Sequence, residues 1–489
     1  MNNRSDYDIL QYQPEIEKIA RGYGLDFVDI IYEVVDYDTI SKLAAYGGFP
    51  IRYPHWRFGM EYDELSKGYR YGLQKIYEMV INTDPCYAYL MRSNDVVDQK
   101  LVMAHVCAHA DFFKNNFWFA HTNRKMIDDM ANHATKIRNY MDIYGEDKVE
   151  DFIDTVNSLE NLIDIHAHHI RREPKKPEKE QHRIQVEKIK SKHYMDSYIN
   201  PKEFLEDRKT YLEKKQKEKK NFPPEPVKDI LYFLMQHAPI PEWQVDIMGI
   251  LRDEMYYYSP QGQTKIMNEG WASYWHSKMM TEKIASPNEI IDYAIHNSGT
   301  IALHQGRLNP YRLGLFLFLD IEDRWNKGKF GKEYDECDNL AEKKAWDKKL
   351  GLGREKIFEV RQMYNDLTFI DAFLTKEFCI ENKIFQFEYN KDWDLFEISS
   401  KDFMQIKNTL LYQLTNMGQP IIELDDANWD NKNELLLHHK FEGVVLDKEY
   451  AFDTLRNLYK IWTRPVNILT QYKSGEKMLR FDGESVMEI

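Results

Sequence analysis

The chain has 489 residues, 43% of them hydrophobic and 14% aromatic, which is too long for one ordinary core and too apolar for disorder throughout. Two or three domains are expected. The formal net charge of −14 argues against a general nucleic-acid binder, which needs a basic face.

The opening MNNRSDYDILQYQPEIEKIA lacks the apolar stretch of a secretory signal. No run of about 18 apolar residues follows anywhere, so no membrane span is expected and the reading is cytoplasmic. Residues 1–50 read as helical, because Ile9, Ile16, Ile19 and Ala20, then Phe27, Ile30 and Ile31, recur at helical spacing. An aromatic loop, FPIRYPHWRFGMEYDE, comes next. From Tyr77 to Leu90 β-formers alternate and are broken at Asp84-Pro85, which predicts a strand or hairpin. Asp95 to Phe113 reads as a helix packed through Leu101, Val102, Ala104, His105, Ala108, His109, Phe112 and Phe113, with further helices over 122–143 and 147–170.

Residues 171–220 carry 17 basic against 10 acidic residues, and FPPEP closes the stretch at 226. This is a charged insertion, either a solvated helix or linker or a docking arm for an acidic partner. Helices resume over 227–238, 242–258 and 264–284, with Pro260 separating the last two, and continue through 287–298, 309–326 and 336–376. Beyond Cys379 the chain turns β-rich in IFQFEYN, DLFEISS, PIIELDD, ELLLHHK, VNILTQY and KMLRFDG, with helical stretches at 401–416 and 448–462. The expected organisation is a mainly helical domain, 1–378, holding the insertion at 171–226, and a small C-terminal α+β domain, 379–489.

Two motifs carry chemistry. In Ala104-His105-Val106-Cys107-Ala108-His109 the histidines are four apart, so on a helix both imidazoles reach one point, as in the HExxH helix of zinc peptidases. The alternative is an ordinary polar helix face, but the neighbours are apolar, which makes two unpaired imidazoles costly. Farther on, Asn268-Glu269-Gly270-Trp271-Ala272-Ser273-Tyr274-Trp275-His276 has the pattern of the second metal helix of gluzincin peptidases, whose Glu is the third zinc ligand. Glu269 could instead be a helix charge in a Trp-rich core. His276, seven residues after Glu269 on the same face, is a candidate fourth ligand or proton carrier. With a strand ahead of the first metal helix, the order along the chain is that of a zincin. The position of the usual HExxH general base is Val106, which cannot take a proton. Glu254, in Arg252-Asp253-Glu254-Met255-Tyr256, is the candidate substitute; its other reading is a salt bridge to Arg252 or Lys265. Cys86, Cys107, Cys337 and Cys379 form no CxxC pair, so a cysteine zinc site or disulfide framework is not indicated. His166, His168 and His169 could bind metal adventitiously but read as a solvated helix end, and Arg307, Asn309 and Tyr311 could form a substrate clamp but read as a helix start, with Asn309 as cap and Pro310 in the first turn.

The strings PHWRFGMEYDELSKGYRYGLQKIYEMVINTDPCYAYL, LVMAHVCAHADFFKNNFWFAHTNRKM, QGQTKIMNEGWASYWHSKM and GRLNPYRLG resemble the SpoVR family, the stage V sporulation protein R group of bacteria, from about residue 8 onward. The resemblance implies a cytoplasmic bacterial protein linked to spore cortex formation, or to stress response in species that do not sporulate. It also implies association with a PrkA-type serine kinase and a von Willebrand-like partner. The family commonly reads HVYGH at the first motif; here Cys107 and Ala108 replace the middle and both histidines are kept. The expectation is a gluzincin-like fold binding Zn²⁺ through His105, His109 and Glu269, with Glu254 and His276 moving protons and a peptide or peptidoglycan-precursor stem as substrate. The alternative is a non-catalytic regulator or scaffold with a structural metal or an emptied site.

Overall fold

A computed structural model describes residues 6–70, 78–170, 201–202, 205–210, 222–303, 308–391, 393–472 and 475–489. Most of the charged insertion, Tyr77 and Arg307 lie outside the described residues. The chain is mainly helical with small sheets. Among the described residues no helix is long and apolar enough to cross a membrane. By contacts it divides into two units, residues 1–151 with 253–419, and residues 152–252 with 420–489.

In the first unit, α1 (Gln13–Gly22) buries Ile16 and Ala20. Ile30–Val35, expected as helix, is the strand β1. Its run of Ile30, Ile31, Tyr32, Val34 and Val35 is β-branched and aromatic, and burial alternates, with Ile30 and Tyr32 inside and Ile31 outside. The helical spacing read there coincided with a period of two. Part of the expected aromatic loop is also helical, over Trp56–Arg70. β2 (Glu78–Ile81) and β3 (Cys86–Met91) form the expected hairpin across Asp84-Pro85, and the sheet order is β1-β3-β2 with β1 parallel to β3.

Behind this sheet runs α2 (Val96–Asn115), in which every residue from 102 to 113 is buried. A helix enclosed on all sides is the centre of its core. α3 (Met126–Tyr144) follows, then α4 (Glu242–Gln263), which continues through Pro260 instead of ending there. The break falls at Thr264, before α5 (Lys265–Met279). The carboxylate of Asp366 accepts from the backbone N–H groups of Ile266 (2.8 Å) and Met267 (2.9 Å), so a side chain from far downstream fixes where α5 begins. α6 (Ile290–Thr300) precedes α7 (Pro310–Lys327), which starts as expected: Asn309 accepts from Arg312 N–H and Pro310 occupies the first turn. α8 (Gly353–Met363) and α9 (Asp366–Phe373) complete the packing. Buried Asp111 of α2 joins three segments, accepting from Trp271 Nε1 (2.9 Å) and Asp26 N–H (2.8 Å) and facing Arg361 Nε at 3.4 Å.

The expected boundary at 378/379 differs from the contact division. Phe378 and Cys379, and Ile406 and Leu410 of α10 (Phe403–Leu414), belong to the same buried cluster as α2, α5 and α7. The hairpin β4 (Gln386–Asn390) and β5 (Leu395–Ser400) goes with that unit, because sequence periodicity marks strands but not which core they join. In the second unit β6 (Ile422–Trp429), β7 (Glu434–His439), β8 (Val466–Tyr472), β9 (Gly475–Phe481) and β10 (Val486–Glu488) form one sheet in the order β10-β9-β8-β7-β6. β7 and β8 are parallel, joined through α11 (Lys448–Trp462), which buries Leu455, Leu458 and Ile461.

The tightest contact in the first unit is between α5 and α7. A Cβ on Gly270 would land in the Gly314 backbone, and one on Gly314 would land on the Ile266 carbonyl. Only glycine lets the two backbones approach this closely, and neither backbone can yield as a flexible side chain would. Gly270→Ala is therefore expected to destabilise the protein by about 3 kcal/mol or more, the upper range for overpacking. Urea denaturation of the variant against wild type measures this; an unchanged midpoint would mean that the helices can separate freely.

Candidate metal centre

His105 and His109 lie one turn apart on α2 and are both buried; Glu269 lies on α5. His105 Nε2 and His109 Nε2 are each 3.6 Å from the same carboxylate oxygen of Glu269. The three donor atoms lie within 4.8 Å of one another. That oxygen is buried and hydrogen-bonds to nothing among the described residues. At 3.6 Å it is too far from either nitrogen for a good hydrogen bond. Tetrahedral coordination with bonds of about 2.0–2.1 Å puts donor atoms about 3.3 Å apart, so the trio fits a small divalent cation such as Zn²⁺.

The ring of His109 is oriented from behind. Its Nδ1 is 2.8 Å from Asn268 Oδ1. An N–H donated there leaves the Nε2 lone pair facing Glu269, the tautomer a metal requires. His105 Nδ1 is buried without a partner among the described residues. His276, also buried, brings its ring centre to 5.2 Å from that of His105, and its Nδ1 likewise has no partner among the described residues. The ring of Tyr311, in the first turn of α7, stacks at 6.5 Å from His105.

Glu254 is not brought to this cluster. It is held on α4 by a buried ion pair, Arg52 Nη2 to its Oε2 at 2.7 Å, with His133 Nδ1 3.4 Å from its other oxygen. The partner is neither Arg252, which pairs with Asp229, nor Lys265. Bound by Arg52 and away from the trio, Glu254 is not placed for the expected proton-transfer role. The position of the missing base, Val106, is fully buried in the core, and Cys107 faces Tyr32, its Sγ 3.9 Å from the hydroxyl. The changed centre of the first motif therefore packs away from the trio. His166, His168 and His169 form a short turn of the second unit.

Three participants went unassigned in the sequence. Asn268 stood inside the second motif, and a buried ligand histidine needs an acceptor behind it. Tyr311 reads from sequence as a substrate clamp or a helix start, with the helix start preferred. Glu78 begins β2 on the same face as Val80, which packs against the core built round α2, whereas Met79 and Ile81 pack into another cluster. The charges of His105 and Glu269 both act on it. A carboxylate at the inner face of the strand beside a histidine helix was the available signal.

Burial dominates the electrostatics. It pushes the Glu78 carboxyl above the ordinary range, and it holds His276 well below the usual imidazole value, with the His105 and His109 charges adding to the effect. Burial and then the His105 charge bring His109 down to about 4. Burial also opposes charge on His105, but the Glu269 carboxylate and the Glu78 charge outweigh it and raise this histidine. Although burial raises Glu269, the His105 and His109 imidazoles and the Tyr311 hydroxyl bring it below its ordinary value. His109 and His276 are thus neutral at neutral pH, the state in which imidazole binds metal.

A pH dependence follows. His109 falls from the usual value near 6.5 to about 4 on folding, so its contribution is present above pH 6.5 and is lost as pH falls through 4. His276 has the same sign, and His105 the opposite. Metal-stripped wild type is expected to lose on the order of 3 kcal/mol between pH 6.5 and 4 from His109, a slope that His109→Gln removes. Urea midpoints across this range test it; equal slopes for the two proteins would contradict the burial assigned to His109.

With this geometry in place, the likeness to known proteins can be stated. The profile of the family described as SpoVR like protein matches residues 4–419. A relative from Escherichia coli (strain K12), the uncharacterized protein YcgB, is 30% identical over 509 residues, covering 96% of this chain and 93% of that protein. No solved structure matches. A family match that takes in both histidines, Glu269 and Tyr311, and a relative alike over nearly its full length, lead to one conclusion: the chain belongs to the SpoVR-like protein family.

Proposed function

We propose that the protein is a metal-dependent hydrolase of gluzincin type, in which His105, His109 and Glu269 hold Zn²⁺ and Glu78 moves the proton. One observation carries the reading: a buried Glu269 oxygen faces two imidazole nitrogens at 3.6 Å and is bonded to neither. Bringing a carboxylate and two imidazoles together out of water without hydrogen bonds is costly, and a shared cation removes that cost. A bound Zn²⁺ supplies a Lewis acid for a carbonyl and a water of lowered pKa.

The chain's own residues account for the rest. Asn268 fixes the His109 tautomer. Glu78, kept basic by burial and by the Glu269 charge, takes the proton of the attacking water and returns it to the leaving amine. Tyr311, kept un-ionised by burial and the Glu269 charge, offers an O–H to the oxygen on which charge develops. His276 remains neutral beside His105 and supports its ring. The substrate class is an amide in a peptide or a peptidoglycan-precursor stem. Val106 in the place of the usual base favours a second reading, a regulatory scaffold with a structural metal, in which Glu78 would have no kinetic role.

The test is amide hydrolysis by zinc-loaded, untagged protein on a panel of peptides and stem peptides. Glu78→Gln is expected to lower kcat by about 10²–10⁴ with metal content unchanged. Glu269→Ala is expected to lose both metal and turnover. No hydrolysis by wild type across the panel, or full activity in Glu78→Gln, would sink the hydrolase reading.

A further inference from the structure

On the far side of the first turn of α7 lies a cavity of about 340 Å³. Phe316, Phe378, Phe385, Ile406 and Leu410 form its apolar length, and Leu410, Ile406 and Phe378 belong to the main core. Among the described residues its charged lining residues are Arg312 and Lys383, both basic, and no aspartate or glutamate lines it, in a chain with 80 acidic residues. Among the described residues neither cation forms an ion pair with a carboxylate. Arg312 is nonetheless fixed in place, its guanidinium 4.6 Å above the Phe316 ring and its Nη1 donating to the Ile301 carbonyl at 3.2 Å. Asn309, the cap of α7, also lines the cavity, so the positive end of an 18-residue helix adds to the two cations.

A largely apolar cavity whose charged lining residues, among those described, are two cations matches one ligand class. We infer that it binds a single-chain carboxylate, a fatty-acid-type molecule, with the tail against Phe378 and Leu410 and the carboxylate on Arg312 and Lys383. The guanidinium fork suits a carboxylate, and burying the chain supplies about 0.8 kcal/mol per methylene. The volume is within the range of small-ligand sites. This inference is independent of the metal centre, because none of the cavity's residues ligates metal.

Titration calorimetry of the full-length protein with dodecanoate tests it, with dodecanol as the uncharged control. Wild type is expected to bind dodecanoate and to bind dodecanol at least about tenfold more weakly. Leu410→Trp, which fills the cavity, is expected to abolish binding. Lys383→Gln, at an exposed position, is expected to weaken dodecanoate about fivefold without affecting dodecanol or the melting temperature. Absence of binding to wild type, equal affinity for acid and alcohol, or undiminished binding in a folded Leu410→Trp would each overturn the inference. So would a wild-type dimer that Leu410→Trp converts to monomer, which would make a second copy of the chain the occupant.

Discussion

Helices α5 and α7 meet backbone to backbone at Gly270 and Gly314, and the candidate site is arranged around that contact. Glu269 is the residue immediately before Gly270, and Tyr311 lies one turn before Gly314. The close approach that only glycine permits is what brings the Tyr311 hydroxyl to the Glu269 carboxylate. The start of α5 is fixed independently by Asp366, and its middle by Trp271, whose indole N–H bonds Asp111 of the histidine helix. The carboxylate is therefore held in both translation and rotation relative to His105 and His109. Such rigidity is what a ligand set needs, since errors of a few tenths of an ångström are felt in a coordination shell.

The polar cluster built this way is not self-sufficient. Structural polar groups in a core are expected to be hydrogen-bonded, as Asp111 is by accepting from Trp271 Nε1 and Asp26 N–H. The trio does not follow that pattern. Glu269 has an oxygen without a hydrogen bond, and His105 and His276 each carry an unpartnered ring nitrogen among the described residues. Glu254 has its carboxylate bound by Arg52 Nη2 at 2.7 Å.

The candidate trio was legible in the sequence as two histidines one helical turn apart and a glutamate in a distinctive aromatic run. Most helices, and the strands after Cys379 except the short β10, were legible from period and composition as well. Partnership between distant segments was not. Nothing around Glu254 announces Arg52, about 200 positions earlier, and nothing around the strand-rich tail tells that Ile406 and Leu410 share a core with Trp271. β1 was misread because a short apolar run fits both periods, and only its pairing with β3 decides between them. Glu78 escaped notice because its importance rests on the face it occupies, which one residue of register would reverse.

The claim on which the account rests is that His105, His109 and Glu269 share a metal ion. Metal content by mass spectrometry on protein purified without a histidine tag tests it most directly, for wild type, His109→Ala and the folded control Glu254→Gln. The account predicts about one zinc or other transition metal per chain in wild type and in the control, and none in His109→Ala. Absence of metal from wild type, even after incubation with zinc and desalting, would contradict it and leave the cluster as an unoccupied polar pocket in a non-catalytic protein.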